Sequence, residues 1–221
     1  AKLCVELSYF VGDVKGPEGT SGAEATKEEL NVRAAWRAQL RMLRRDPAIF
    51  DGGDAAARRV AVDEMCAFAH NACGLATPDG SAAMLVSLAL VALGKVKAWN
   101  SAVVLGLESA AENINHERVV LHALEADPEQ WSKLAPSFGR LPAQWRDLIK
   151  AGFSSDFLLG QFGQMENVAA SLLPLAKLMG QSSDGFDGRR AANFYLLMQV
   201  LWITGQMPTG KINLVAQAHY D

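Results

Sequence analysis

The chain has 221 residues, 50% of them hydrophobic and 20% charged, with a formal net charge of -3. That length allows one domain with a sizeable core or two small ones. The slight acidity gives no electrostatic case for a nucleic-acid partner, because the groups Arg41, Arg44 and Arg45, Arg58 and Arg59, and Arg189 and Arg190 are each diluted by acids. The three cysteines Cys4, Cys66 and Cys73 do not make a disulfide scaffold, and they fit the cytoplasm or another reducing compartment.

Residues 1–11 carry Lys2 and Glu6 and lack the long apolar core of a signal peptide. Leu3, Val5, Leu7, Tyr9 and Val11 alternate with Lys2, Cys4, Glu6 and Ser8, as in a strand. Such an arm pairs with another subunit, making a homo-oligomer, or lies across the helices. Residues 12–25 are Gly-rich and polar and read as a loop, without phosphate-loop spacing. Thr26 and Glu29 have capping-box spacing, which predicts a helix to about Arg45 with Leu30, Ala34, Leu40 and Leu43 on its apolar face and Trp36 at its edge. Asp46-Pro47 ends it. A second helix runs from about Asp54 to Cys73, where Gly74 stops it.

Thr77-Pro78-Asp79 starts the third helix, with Thr as cap and Pro in the first turn. Its stretch 82–94 is apolar on every face except at Ser87, so it belongs inside a bundle. A membrane span needs roughly 20 apolar residues, and Lys95 and Lys97 cut this run short, so no transmembrane helix is expected. Ser101 opens a fourth helix to about Glu125. Asp127-Pro128 opens a short one carrying Trp131 and Leu134, which Pro136 interrupts. Residues 142–151 form another, with Trp145 and Leu148 inward. A longer helix from Ser154 or Ser155 to Met179 is bent or split by Pro174. A polar loop, 181–188, precedes a second strongly apolar helix, 189–204, which Gly205 ends. The pattern predicts an all-α fold: about eight helices around one or two almost wholly apolar central helices, with a short extended N-terminal arm. Residues 1–25 form the arm and loop, and 26–221 a single domain with a subdivision near 127 as the alternative.

Three groups of side chains carry chemistry. Asp63, Cys66, His70 and Cys73 share one helical face. A Cys66-His70 pair makes an activated thiol or a soft-metal site, or else Cys66 is a core residue and His70 favours a helix C-terminus. Cys66 and Cys73 are separated by about 10.5 Å of helical rise, too far for a disulfide. Over some twenty residues, Asp63, Cys66 and His70, followed by Gly74 and the Thr77-Pro78-Asp79 start, resemble the carboxymuconolactone decarboxylase and alkylhydroperoxidase-like families. Those families are all-helical, and the resemblance implies a thiol or proton-transfer enzyme. The paired Cys-x-x-Cys of the peroxidase members is absent, since position 63 is Asp.

The second group is Glu112, Asn113, Asn115, His116, Glu117, His122 and Glu125. Glu112 and His116, and His122 and Glu125, have the helical offsets with which bundles hold a divalent metal, although neither the Glu-x-x-His nor the His-Glu-x-x-His motif is complete. The alternative is a solvated face, with Glu117 beside Arg118 in water. The third group, Gln161, Gln164 and Asn167 among Phe157, Phe162 and Met165, has the makeup of a ligand-pocket wall or of a helix-packing face. Two functions follow. One is a helical protein that binds a partner protein or an apolar small molecule. The other is a metal-dependent or thiol/histidine enzyme, an oxidoreductase or hydrolase, with its site between helices 54–73 and 101–126.

Overall fold

A computed structural model describes residues 21–95, 116–126, 135–155, 157 and 168–213. The fold is all-α. The described helices are α1 (Ser21–Leu43), α2 (Ala55–Asn71), α3 (Pro78–Lys95), α4 (His116–Ala126), α5 (Pro136–Gly139), α6 (Ala143–Phe153), α7 (Val168–Met179) and α8 (Gly188–Gln206). The N-terminal arm expected over residues 1–11, and the short helix expected at Asp127-Pro128, lie outside the described residues.

The apolar helix α3 is the axis. It packs against α1, α4, α6 and α8, and also touches α5, so it is covered on all sides. Its start is the expected one: the Thr77 hydroxyl accepts from the Gly80 N–H at 3.1 Å. Ser87, its one polar interior residue, is fully buried and donates to the Ala83 carbonyl within its own helix at 2.8 Å. Helix α1 is stitched to α3 by two longer bonds. Trp36 Nε1 donates to the Leu85 carbonyl at 2.9 Å, and Gln39 Nε2 to the Ser81 carbonyl at 3.0 Å. Every helix contributes to one buried cluster, from Val32 of α1 and Val62 of α2 to Leu175 of α7 and Trp202 of α8.

Several boundaries differ from the sequence pattern. Helix α1 begins at Ser21, inside the stretch read as loop, and Thr26 is an interior residue rather than a cap. The strong helix formers Ala23, Glu24 and Ala25 carry it back past the capping-box spacing. Its buried face is also a different one. Val32, Ala35, Ala38 and Met42 are buried, while Leu30 is 59% and Leu40 46% exposed. Small residues occupy that face because α8 lies so close. A Cβ on Gly205 would stand 2.4 Å from the Asn31 carbonyl oxygen and 3.0 Å from the Ala35 Cβ. Gly205 therefore does not stop α8, which continues to Gln206. It is the point of contact between α8 and α1. Pro136 starts α5, as its preset φ permits at a first position; the element it was expected to interrupt lies outside the described residues.

Two small strand pairs complete the described chain. Residues Ser182–Ser183 and Phe186–Asp187 form an antiparallel hairpin within the expected loop. Phe50–Asp51 pairs in parallel with Ile212–Asn213. Helix α2 starts where expected, with the Asp54 carboxylate accepting from the Ala57 N–H at 2.7 Å, and Gly74 follows its end at φ +79°.

Replacing Gly205 with Ala forces α8 away from α1. We expect a loss of about 1–3 kcal/mol in urea unfolding. Gly139→Ala, where an added Cβ meets nothing within 4 Å, changes stability by less than about 0.5 kcal/mol.

Candidate functional site

Helices α4, α6 and α7 meet at an open cleft of about 420 Å³. Its apolar wall is Ala151 of α6 with Ala170, Leu173, Pro174 and Leu178 of α7. Its polar side is Arg118 of α4, Ser154 and Ser155 just past α6, Lys177 of α7, and Gln181. The volume falls in the range of small-molecule sites. Local chemistry accounts for each wall. Helix α6 ends beside the cleft, and its last carbonyls are taken up there. Ser154 Oγ donates to the Ala151 carbonyl at 2.9 Å, Ser155 Oγ to Gly152 at 2.7 Å, and the Arg118 guanidinium to the Ser154 carbonyl at 3.3 Å. A cation at a helix C-terminus also meets the negative end of the helix dipole. Pro174 sits inside α7 and has no N–H to give the Ala170 carbonyl one turn back. Leu173 is 72% exposed, a large apolar side chain held in solvent at the cleft edge.

Directly behind the Ser155 wall lies a buried polar cluster. Glu117 is only 2% exposed. The Tyr195 hydroxyl donates to one of its oxygens at 2.6 Å, and the Gln199 amide donates to the other. Tyr195 Oη also lies 3.3 Å from the Phe157 carbonyl, and the two rings meet edge to face. Gly152 makes room for this ring: a Cβ there would stand 2.9 Å from Tyr195 Cδ2. The phenol is held far above its usual pKa, first by burial, then by the Glu117 charge and the hydrogen bond to it, with Gln199 and Ser155 acting weakly the other way. Tyr195 thus stays a neutral donor, and Glu117 has both oxygens occupied by protein groups. The cluster is built to hold a carboxylate inside the fold, not to offer it to a substrate.

Glu117 is accordingly not on a solvated face. It shares the inward side of α4 with Val120, Leu121 and Leu124, and Arg118, one position on, points outward to the cleft. That pattern is visible in the sequence, since Glu117, Val120, Leu121 and Leu124 have helical core spacing. Tyr195 and Gln199 at i,i+4 within the apolar run of α8 were the second available signal.

The other candidates are dispersed. Cys66 is fully buried, with its sulfur 3.8 Å from Nε2 of the half-buried His70. Asp63 is ion-paired instead with Arg59 at 3.4 Å and Arg45 at 3.6 Å. Cys73 is buried and free, and burial pushes its thiol up to about 12. His122 is exposed on α4. Glu112, the side chain of His116, and Gln161, Gln164 and Asn167 lie outside the described residues. Among the described residues, no three His, Cys, Asp or Glu side chains gather in a way that would hold a metal ion. Nor is any described helix long and apolar enough to cross a membrane.

The class defined by these features is an all-α globular fold with a cleft between helices. A family model described as a family of unknown function (DUF6829) matches residues 48–206, and the chain belongs to that family. The matched region takes in the cleft and the Glu117 cluster and leaves out α1. No curated protein and no solved structure matches the chain.

Two outcomes follow. Tyr195→Phe leaves the buried carboxylate short of a donor, and we expect a loss of about 1.5–3 kcal/mol in urea unfolding. The loss shrinks in a Glu117→Gln background, where no charge needs the donor. For the thiols, the unfolded chain releases the Cys73 proton from the ordinary value of 9.0 while the folded chain keeps it to about 12, so stability falls as pH rises through that window. Cys73→Ala should lessen this alkaline slope, the rest coming from Tyr195, whose proton the fold also retains. At neutral pH, iodoacetamide should modify Cys66 and Cys73 only on unfolding; rapid modification of Cys66, mapped by mass spectrometry, would mark an activated thiol instead.

Proposed function

We propose that this protein binds a small, partly apolar molecule in the cleft between α4, α6 and α7. The observation that carries this reading is the makeup of the cleft. An apolar wall that includes the exposed Leu173 faces hydroxyl, amide and cationic groups across about 420 Å³. An apolar side chain held open to solvent beside convergent polar groups suits a ligand with an apolar body. The buried Glu117–Tyr195–Gln199 cluster fixes the far side of the Ser155 wall, so the cleft stands on a rigid support.

A neutral apolar dye tests this. Nile red should bind with enhanced fluorescence, and Leu173→Asp should weaken it about tenfold, in line with placing a charge where an apolar contact is needed. Leu172→Asp alters an exposed leucine that does not line the cleft and should leave binding unchanged. Equal losses in both variants would place the dye on the outer surface of α7 and overturn the cleft reading.

A further inference from the structure

We infer that the cleft selects molecules with an acidic head and an apolar tail. This rests on the reading that the cleft binds a small molecule, and it names the class. The whole chain carries a net charge of -3, yet the charged residues among the described lining of the cleft are Arg118 and Lys177, with no carboxylate among those described residues. The local sign is thus opposite to that of the molecule. Lys177 is exposed and takes part in no ion pair among the described residues. Arg118 is already bonded to the Ser154 carbonyl, so it supplies charge more than open N–H groups.

One effect opposes an anion here. The C-terminal end of α6 brings partial negative charge to the same cleft, equivalent to roughly half an elementary charge for a helix terminus. The Lys177 charge outweighs it, and Ser154 and Ser155 already take up the last α6 carbonyls, with Arg118 on the Ser154 carbonyl. Glu117, beside Arg118 in the chain, lies behind the wall with both oxygens engaged. The tail is assigned by the opposite side of the cleft. Leu173, Pro174 and Leu178 form an apolar strip along α7, with Lys177 on the same helix to receive the head. A carboxylate, sulfate or phosphate head meets the same chemistry; an aliphatic carboxylate is the simplest probe.

The experiment is calorimetric titration of the full chain with decanoate, decanol and decyltrimethylammonium, each below its micelle concentration. The tail is constant and only the head changes. Decanoate should bind about tenfold more tightly than decanol, and the ammonium more weakly than either. Raised salt should narrow the gap, because this site is open to solvent. Lys177→Gln should remove most of the decanoate advantage and leave decanol unchanged. Lys150→Gln, on α6 but outside the cleft lining, should alter neither. If decanol matches decanoate while Nile red still responds to Leu173→Asp, the acidic-head class is wrong and the cleft reading stands. If neither Nile red nor any of the three binds, both fall.

Discussion

Helix α3 has no face it can show to water, and that constraint orders the rest of the molecule. An apolar helix of this kind must be enclosed, so α1, α4, α6 and α8 are laid around it. Enclosure raises a second problem, because polar groups carried into the interior need partners there. The structure answers it locally. Ser87 turns back onto its own helix, and Trp36 and Gln39 give their N–H groups to α3 carbonyls. These bonds fix the rotation and depth of α1 on α3, which burial of uniform apolar surface alone leaves loosely determined.

Glu117 sits at the outer edge of the same logic. A buried carboxylate is costly unless its oxygens are satisfied, and here α8 contributes both the phenol and the amide that satisfy them. The pairing joins α4 to α8 across the core and sets the register between them. Because Arg118 follows at once and faces the cleft, the position of the cleft cation is set by the burial of its neighbour. Support and site are two sides of one helical turn.

The all-α class was legible because its signals are strong and local: the Thr77-Pro78 start, the start near Asp54, the Gly74 stop and the long apolar runs of α3 and α8. Face assignment was less so. Large residues such as Leu30 and Leu40 dominate a reading by hydrophobicity, whereas α1 meets Gly205 through the Asn31 carbonyl and Ala35, where close backbone approach matters more than side-chain size. The site was the least legible part. A Cys-His or Glu-His spacing along one helix stands out in a sequence, but the cleft takes Arg118, Ser155 and Lys177 from segments far apart in the chain. Their convergence is a tertiary fact. Glu117 was recoverable from its spacing with Val120, Leu121 and Leu124, and was obscured by the polar residues on either side of it.

The short parallel bridge between Phe50–Asp51 and Ile212–Asn213 has a consequence of another kind. It holds the chain just after the start of the family-matched region beside the chain just past its end. A segment whose two ends meet in space closes on itself topologically. It suits circular permutation, with the original ends joined by a short linker and new ones opened elsewhere, and it suits insertion as a unit into another chain. On that view α1, which lies outside the matched region yet runs along α8 and α3, is a clamp fitted to a closed module rather than the first turn of its fold.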